Sequence, residues 1–407
     1  MNTNSEIRYR WIILSLLFAA TTINYFDRIV LSVLLPEIKK ELTISPVNYG
    51  YILGAFQLTY TIGLLSAGYV IDRLGTKLGY LLSILLWSIA GAMHGICGSG
   101  FCLATWRGML GLSASGNFPA AIKSVSEWFK IDDRAFATSL FNSGSSISSI
   151  VGPPLIAAIA LMTGWRFTFV VFGTLGILLV GLWQFLYRKP PIANSDNIPA
   201  EHSKIKWSLL LKEKQTWGIM LGKFFTDPVW WFYLYWMPDY LNTQRDFDLK
   251  GIAIAIPMIY TLATLMGFVG GWFPGNLMRR GWSVGKARKT TMMISALFLP
   301  ISAMAVVAQN PWLAILLVSL ACGAHNSWSA NIFTLCSDCF PSKTVGSVTG
   351  LAGFAGGLGG IIFSALIPGF VVQYFGYMPV FILMGFLHPL AYIMISIFIK
   401  EVKQVQI

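Results

Sequence analysis

Long apolar runs, each broken by a short charged or Gly/Pro-marked stretch, recur along the whole chain. They lie near residues 11–35, 48–71, 77–97, 101–127, 135–162 and 166–187, then near 215–241, 251–278, 288–308, 311–337, 346–373 and 378–399. A helix crosses a hydrocarbon core about 30 Å thick with roughly 20 residues, and each run is of that order. The alternating segments of about ten residues that a membrane β-barrel needs are absent. The pattern predicts an all-α polytopic membrane protein with twelve transmembrane helices in two six-helix halves. The halves are residues 1–187 and 214–407, joined by a linker over 188–213. That linker carries Pro190, Pro191, Asn194, Ser195 and several lysines, with no apolar period.

Composition agrees, with 55% hydrophobic and 11% charged residues among 407 and a mean hydropathy of +0.65. A net charge of +12 would suggest a polyanion partner in a soluble protein. Here the basic residues sit in the connections, and the excess of Lys and Arg on cytoplasmic loops explains them without nucleic acid. Arg73, Lys77, Lys130, Arg134, the linker, Arg279, Arg280, Lys286, Arg288, Lys289 and Lys343 share one side with both termini, while the opposite connections are short or balanced. Both termini are therefore expected in the cytoplasm and the chain in the inner membrane. Arg8 and Arg10 lead into an apolar run with no small-residue cleavage site, so this run is expected to stay as the first helix. Of the five cysteines only Cys336 and Cys339 have ligand spacing, and without a second pair no metal or cofactor is expected.

Inside the first span stand Asn24-Tyr25-Phe26-Asp27-Arg28. A charge at this depth costs roughly 2.5–3.5 kcal/mol on insertion scales, and such residues normally face a bundle interior or a wet cavity. Other ionisable residues fall in every third span: Arg107 in the fourth, Lys223 and Asp227 in the seventh, His325 in the tenth. This rhythm suits a cavity lined by spans 1, 4, 7 and 10. At about 1.5 Å per residue, Asp27 and Arg107 both lie roughly 10–14 Å below the outer end, so Asp27, Arg28 and Arg107 are placed in one layer. Either arginine suits a substrate anion through its planar fork while the other neutralises Asp27. Lys223 and Asp227, one turn apart, are set to pair. Pro228 is expected to open the seventh helix. His388, before Pro389, reads as a packing or kink feature. Small residues in spans 5 and 11 suit close helix packing.

The halves echo each other. Gly68-Tyr-Val-Ile-Asp72-Arg73-Leu-Gly75-Thr-Lys77 follows the second span, and Gly271-Trp-Phe-Pro-Gly-Asn276-Leu-Met-Arg279-Arg280-Gly281 follows the eighth. The first resembles the signature loop of the major facilitator superfamily, and Arg107-Gly-Met-Leu-Gly111 is similar to that family's second motif. The resemblance spans the chain and implies a two-half transporter with Asp72 and Arg73 as gating residues. Asn276 departs from the acidic residue many relatives carry there.

Further stretches are similar to the anion:cation symporter family and, within it, to bacterial hexuronate transporters: Asn24 to Arg28, Gly116-Asn117-Phe118-Pro119 through Lys123, Ser126-Glu127-Trp128-Phe129, Thr226-Asp227-Pro228-Val-Trp230-Trp231 and Ala324-His325-Asn326. This resemblance implies a monomeric secondary transporter importing a hexuronate-type sugar acid with protons by alternating access. The candidate substrate-binding residues are Tyr25, Arg28, Tyr60, Arg107, Asn117, Asn142, Ser145, Lys223, Trp231, His325, Asn326 and Asn331. Candidate proton-coupling positions are Asp27 and Ala114. The family usually carries a glutamate where this chain has Ala114, which holds no proton. Coupling through Asp27 alone, an uncoupled relative, and a deliberate change at 114 all remain open. Another small organic anion such as an aldonate, or an uncoupled facilitator or transceptor, would have the same architecture. A membrane enzyme is disfavoured, because no metal-ligand helix motif or nucleophile-base pair is visible. A channel is disfavoured because no selectivity ring is visible.

Overall fold

The computed structural model describes residues 3–129, 131–188 and 207–405. Lys130 and most of the predicted linker lie outside the described residues, as do the side chains of Arg8 and Lys343. Helices occupy all twelve predicted span positions. They are α1 (Thr3–Glu41), α2 (Pro46–Leu74), α3 (Thr76–Met93), α4 (Gly100–Ala114), α5 (Asn117–Trp128), α6 (Ile131–Thr163) and α7 (Trp165–Leu186), then a short α8 (Trp207–Leu210) in the linker region. There follow α9 (Lys214–Arg245), α10 (Leu249–Arg279), α11 (Val284–Phe298), the short α12 (Met304–Val307), α13 (Pro311–Cys339), α14 (Ser342–Gly359), α15 (Ile367–Phe375) and α16 (Tyr377–Phe398). Among the described residues, nine helices are long and apolar enough to cross a bilayer. The fourth span is broken at Ser115-Gly116 into helices of 15 and 12 residues. Pro119 has no N–H to give the Ser115 carbonyl and its ring crowds that oxygen, so the helix restarts there.

The chain divides into two compact units. Unit one holds the described residues within 1–44, 52–202 and 248–253, and unit two those within 45–51, 203–247 and 254–407. In unit one, α1 packs on α6 and α7, and α3 packs on α7 and α4; in unit two, α9 packs on α14 and α16, and α11 on α16 and α13. Each second-half pairing is the counterpart, six spans later, of one in the first half. The backbone repeats as well. Gly75 (φ 77°) and Gly281 (φ 88°) stand at the ends of α2 and α10, inside the two echoed loops, and Gly164 (φ 83°) and Gly376 (φ 75°) open α7 and α16. A side chain at these left-handed turns meets its own carbonyl, which is why the echo is written in glycine.

Small residues do the packing predicted for them. Gly144 and Gly152 of α6 lie against Thr22 and Ile29 of α1. Contrary to expectation, α9 stays helical through Pro228. Pro228 withholds the N–H that the Phe224 carbonyl would accept, and this oxygen instead lies where a Cβ of Gly359 would stand. Gly359→Ala therefore drives a methyl into backbone, which cannot swing aside. We expect a loss of about 1–3 kcal/mol, typical of overpacking; thermal unfolding of the purified variant checks it, and an unchanged midpoint would contradict this packing.

Candidate functional site

In unit one the motif Arg107 to Gly111 acts through its glycines first. A Cβ on Gly111 would strike the Phe56 carbonyl, and Thr59 Oγ1 donates to the Gly108 carbonyl at 2.7 Å, so α4 and α2 meet backbone to backbone. That approach sets the Phe56 ring 5.1 Å from the Arg107 guanidinium and 5.5 Å from that of Arg28. Arg28 is 4% exposed. Its guanidinium lies 4.6 Å from the Tyr25 ring centre and 4.4 Å from that of Tyr60, and its Nε donates to Asn24 Oδ1 at 3.2 Å. Phe56 and Tyr60, one turn apart on α2, stack at 10°. Each cation–π contact of a desolvated guanidinium contributes about 0.5–2 kcal/mol, so three rings offset much of the cost of burying this charge.

Arg107 is fully buried. Its Nη1 donates to the Asp27 carbonyl at 3.0 Å and its Nη2 to the Arg28 carbonyl. The guanidinium thus grips the α1 backbone at the two residues that carry the charges, and this brings Asp27, Arg28 and Arg107 into one layer. The Asp27 side chain turns toward α3, where a Cβ on Gly91 would stand 2.8 Å from its Oδ1. Asp27 Oδ2 has no hydrogen-bond partner among the described residues. Asn117 is fully buried, accepting from the Tyr80 hydroxyl (2.6 Å) and donating to Thr21 Oγ1 (3.3 Å). Ala114 is buried in the apolar cluster that includes Leu17, Phe56, Tyr60 and Leu110. On α6, Asn142 is exposed and Ser145 half-buried, its hydroxyl bonded to the Asn142 carbonyl.

In unit two, Lys223 and Asp227 pair at 2.9 Å, with the ammonium 4.2 Å from the Phe333 ring centre. Asp227 lies against Gly356 of α14, whose missing Cβ makes room for it. His325 stacks on Trp230 at 5.5 Å and 18°, and its Nδ1 is 3.1 Å from His388 Nε2. Asn331 is buried and bound to the carbonyls of Gly270 (3.1 Å) and Ser327 (2.8 Å). Asn326 and Trp231 are half-buried. The sequence reading missed the Phe56 ring beneath both arginines, Asn24 as the brace of Arg28, and His388 as the partner of His325. The Phe56/Tyr60 spacing of one turn was the available signal for the first.

At the α2–α3 turn, exposed Asp72 pairs with Lys123 at 2.6 Å, and Thr76 Oγ1 and the Tyr187 hydroxyl donate to the two oxygens of Glu127 at 2.6 and 2.8 Å. The stretch from Lys123 to Glu127 thereby holds the signature loop. Arg73 is exposed. Cys97, in the connection after α3, and Cys102, in the first turn of α4, form a disulfide that the sequence reading did not anticipate.

A helical membrane chain with a repeated pairing plan and charged clusters buried within its spans has the features of a solute transporter. The family model of the Major Facilitator Superfamily matches residues 17–364. The chain belongs to that superfamily, and is a multi-pass membrane transporter and not an enzyme. The hexuronate transporter of Escherichia coli strain K12 is 31% identical over 389 residues, covering 91% of this chain and 90% of that one. The D-galactonate transporter of E. coli O6:H1 is 28% identical over 434 residues, covering 100% and 99%. A crystal structure of a bacterial homologue of the human lysosomal transporter Spinster, inward-facing and occupied, superposes with TM-score 0.79 at 17% identity over 96% of this chain and 97% of that one. That likeness speaks to fold alone.

Proposed function

We propose that this chain imports a hexuronate-type sugar acid together with protons by alternating access, as a monomer in the inner membrane. Its halves are residues 1–187 and 214–407 with the linker 188–213 between them. The observation that carries the reading is Arg28, a buried guanidinium ringed by Tyr25, Phe56 and Tyr60. This is the setting in which a planar fork holds a carboxylate while aromatic faces lie along a sugar ring. The hexuronate and D-galactonate transporters to which the chain is similar are named for sugar acids, which share a carboxylate and a row of hydroxyls. Tyr25, Arg28 and Tyr60 are assigned to the anion. Asn142, Ser145, Lys223, Trp231, His325 and Asn326 are kept as substrate-binding candidates. Arg107, Asn117 and Asn331 act by position, since their polar atoms hold backbone or neighbouring side chains. Uptake of labelled glucuronate into proteoliposomes, with and without an imposed proton gradient, tests this: gradient-driven accumulation supports it, and no uptake of any sugar acid overturns it. An uncoupled facilitator is the second reading, favoured by Ala114 in its apolar surroundings; uptake that equilibrates without responding to the gradient would identify it.

Asp72 and Arg73 are proposed to gate. An exposed pair such as Asp72–Lys123 contributes about 0–1 kcal/mol, so Asp72→Asn is expected to leave thermal stability and ligand affinity near those of the parent while turnover falls severalfold. Normal turnover with lost affinity would contradict the role.

The disulfide supports cytoplasmic termini. With that orientation the connection between α3 and α4 faces the oxidising side, where disulfides persist. After reduction, a membrane-impermeant maleimide applied to whole cells should label half-buried Cys102, whereas buried Cys97, Cys322, Cys336 and Cys339 stay unlabelled. Protection of Cys102 until the cells are lysed would reverse the orientation.

A further inference from the structure

We infer that the proton-carrying group of transport is the His325–His388 pair, with His325 as the ring that takes the proton. The inference rests on the proposed reading of a proton-linked sugar-acid transporter.

The two imidazoles meet edge on, Nδ1 of His325 to Nε2 of His388 at 3.1 Å, with the rings at 79°. At that distance one proton is shared, His325 Nδ1–H donating to His388 Nε2 or the reverse according to the tautomers. His388 is fully buried, and its Nδ1 has no hydrogen-bond partner among the described residues. A neutral packing histidine ordinarily satisfies both nitrogens, so this pair is costly as mere packing. A second proton gives the arrangement its purpose. Placed on His325 Nε2, it leaves an imidazolium whose Nδ1–H donates to neutral His388 Nε2, a charge-assisted bond roughly twice as strong as a neutral one.

The Trp230 ring, stacked 18° from parallel on His325, presents its negative face to that cation. Trp230 is itself held edge on by Tyr260 at 5.3 Å, and His388 by Trp328 at 5.3 Å, whose Nε1 donates to Thr226 Oγ1 at 3.2 Å. The site is thus a braced imidazole with an acceptor at one edge and an aromatic wall on one face. His325 retains 4% exposure and His388 none, so the proton enters and leaves through His325. In the step an O–H bond of hydronium breaks and an N–H bond forms at Nε2; no electrons are transferred. One proton with one monoanion makes the cycle electroneutral.

Other charged or titratable groups stand on the elements around the pair. On α9, Lys223 and Asp227 neutralise each other at 2.9 Å, and the Tyr233 ring packs on Phe381. Tyr260 on α10 lies against Trp230, and Cys322 is buried on α13 itself. On α11, Arg288 is paired with Asp338, and Lys289 bonds the Ile399 and Lys400 carbonyls. On α16, Tyr377 donates to Asp239, and Tyr392 packs with the apolar cluster that includes Ala391 and Ile395.

The test uses the full chain in proteoliposomes with labelled glucuronate as probe, comparing the parent with His325→Gln and His388→Phe. A gradient of one pH unit coupled one to one sustains about tenfold accumulation. The parent should reach it; both variants should lose it, and His388→Phe, which is not among the substrate-binding candidates, should keep counterflow exchange within about threefold, because exchange returns the proton it took. In ¹⁵N-histidine spectra of the parent, the nitrogens of one ring should change protonation state with pH, and His388→Phe should shift that change. Accumulation by either variant equal to the parent, or equal loss of exchange and accumulation in His388→Phe, overturns the inference. If the parent exchanges no sugar acid, the transport reading fails, and the spectra then decide: a pair that does not titrate overturns the inference on its own.

Discussion

Arg28→Ala is expected to lose sugar-acid affinity by at least about a hundredfold, or about 3 kcal/mol, within the range for truncating one side of a buried charge pair. Three aromatic rings and Asn24 hold this guanidinium, so its geometry exists before any ligand arrives, and little ordering opposes binding. Arg28→Lys keeps the charge without the fork and should recover only part of the loss. Removing a buried cation that must be held in place should not destabilise the fold, so thermal unfolding should be near that of the parent. Titration of the purified variants with glucuronate checks the first part; affinity equal to the parent's would remove Arg28 from the site.

The second large effect belongs to Arg107 and has the opposite character. Its two N–H groups hold the carbonyls of Asp27 and Arg28, and hydrogen bonds to charged groups contribute about 1.5–3 kcal/mol each. Arg107→Ala is expected to destabilise by about 3 kcal/mol or more and to abolish transport, because α1 is no longer held at the layer that carries Arg28. Arg107→Lys can reach the backbone from one point and should fall between. A variant with the parent's thermal midpoint and only a weakened affinity would place Arg107 on the ligand instead of on α1. The contrast between a binding loss at 28 and a stability loss at 107 separates two arginines that look alike in sequence.

Much of the architecture was legible because a bilayer imposes a length and an apolarity on every crossing; helices stand at the predicted runs, and nine of them among the described residues meet both demands. The echo of the loops around Asp72 and Asn276 has its counterpart in the left-handed turns at Gly75 and Gly281. The shared layer of Asp27 and Arg107 followed from counting residues along two antiparallel helices. What stayed hidden was adjacency between helices. Nothing in the periodicity of α13 and α16 says that His325 and His388 meet, and nothing in Phe56 or Gly111 says that α2 and α4 touch backbone to backbone. The break at Ser115-Gly116 was readable from Pro119 but obscured by the apolar run across it. At Pro228, continuity depended on Gly359 of another helix, which no local rule contains.

The central claim is that this chain moves sugar acids by holding their carboxylate at Arg28. Counterflow of labelled glucuronate in proteoliposomes, challenged from outside with unlabelled galacturonate, D-galactonate or glucose, tests it most directly. The expected result is competition by both acids and none by glucose, with all counterflow lost in Arg28→Ala. Equal competition by glucose, or counterflow that survives Arg28→Ala, would contradict it.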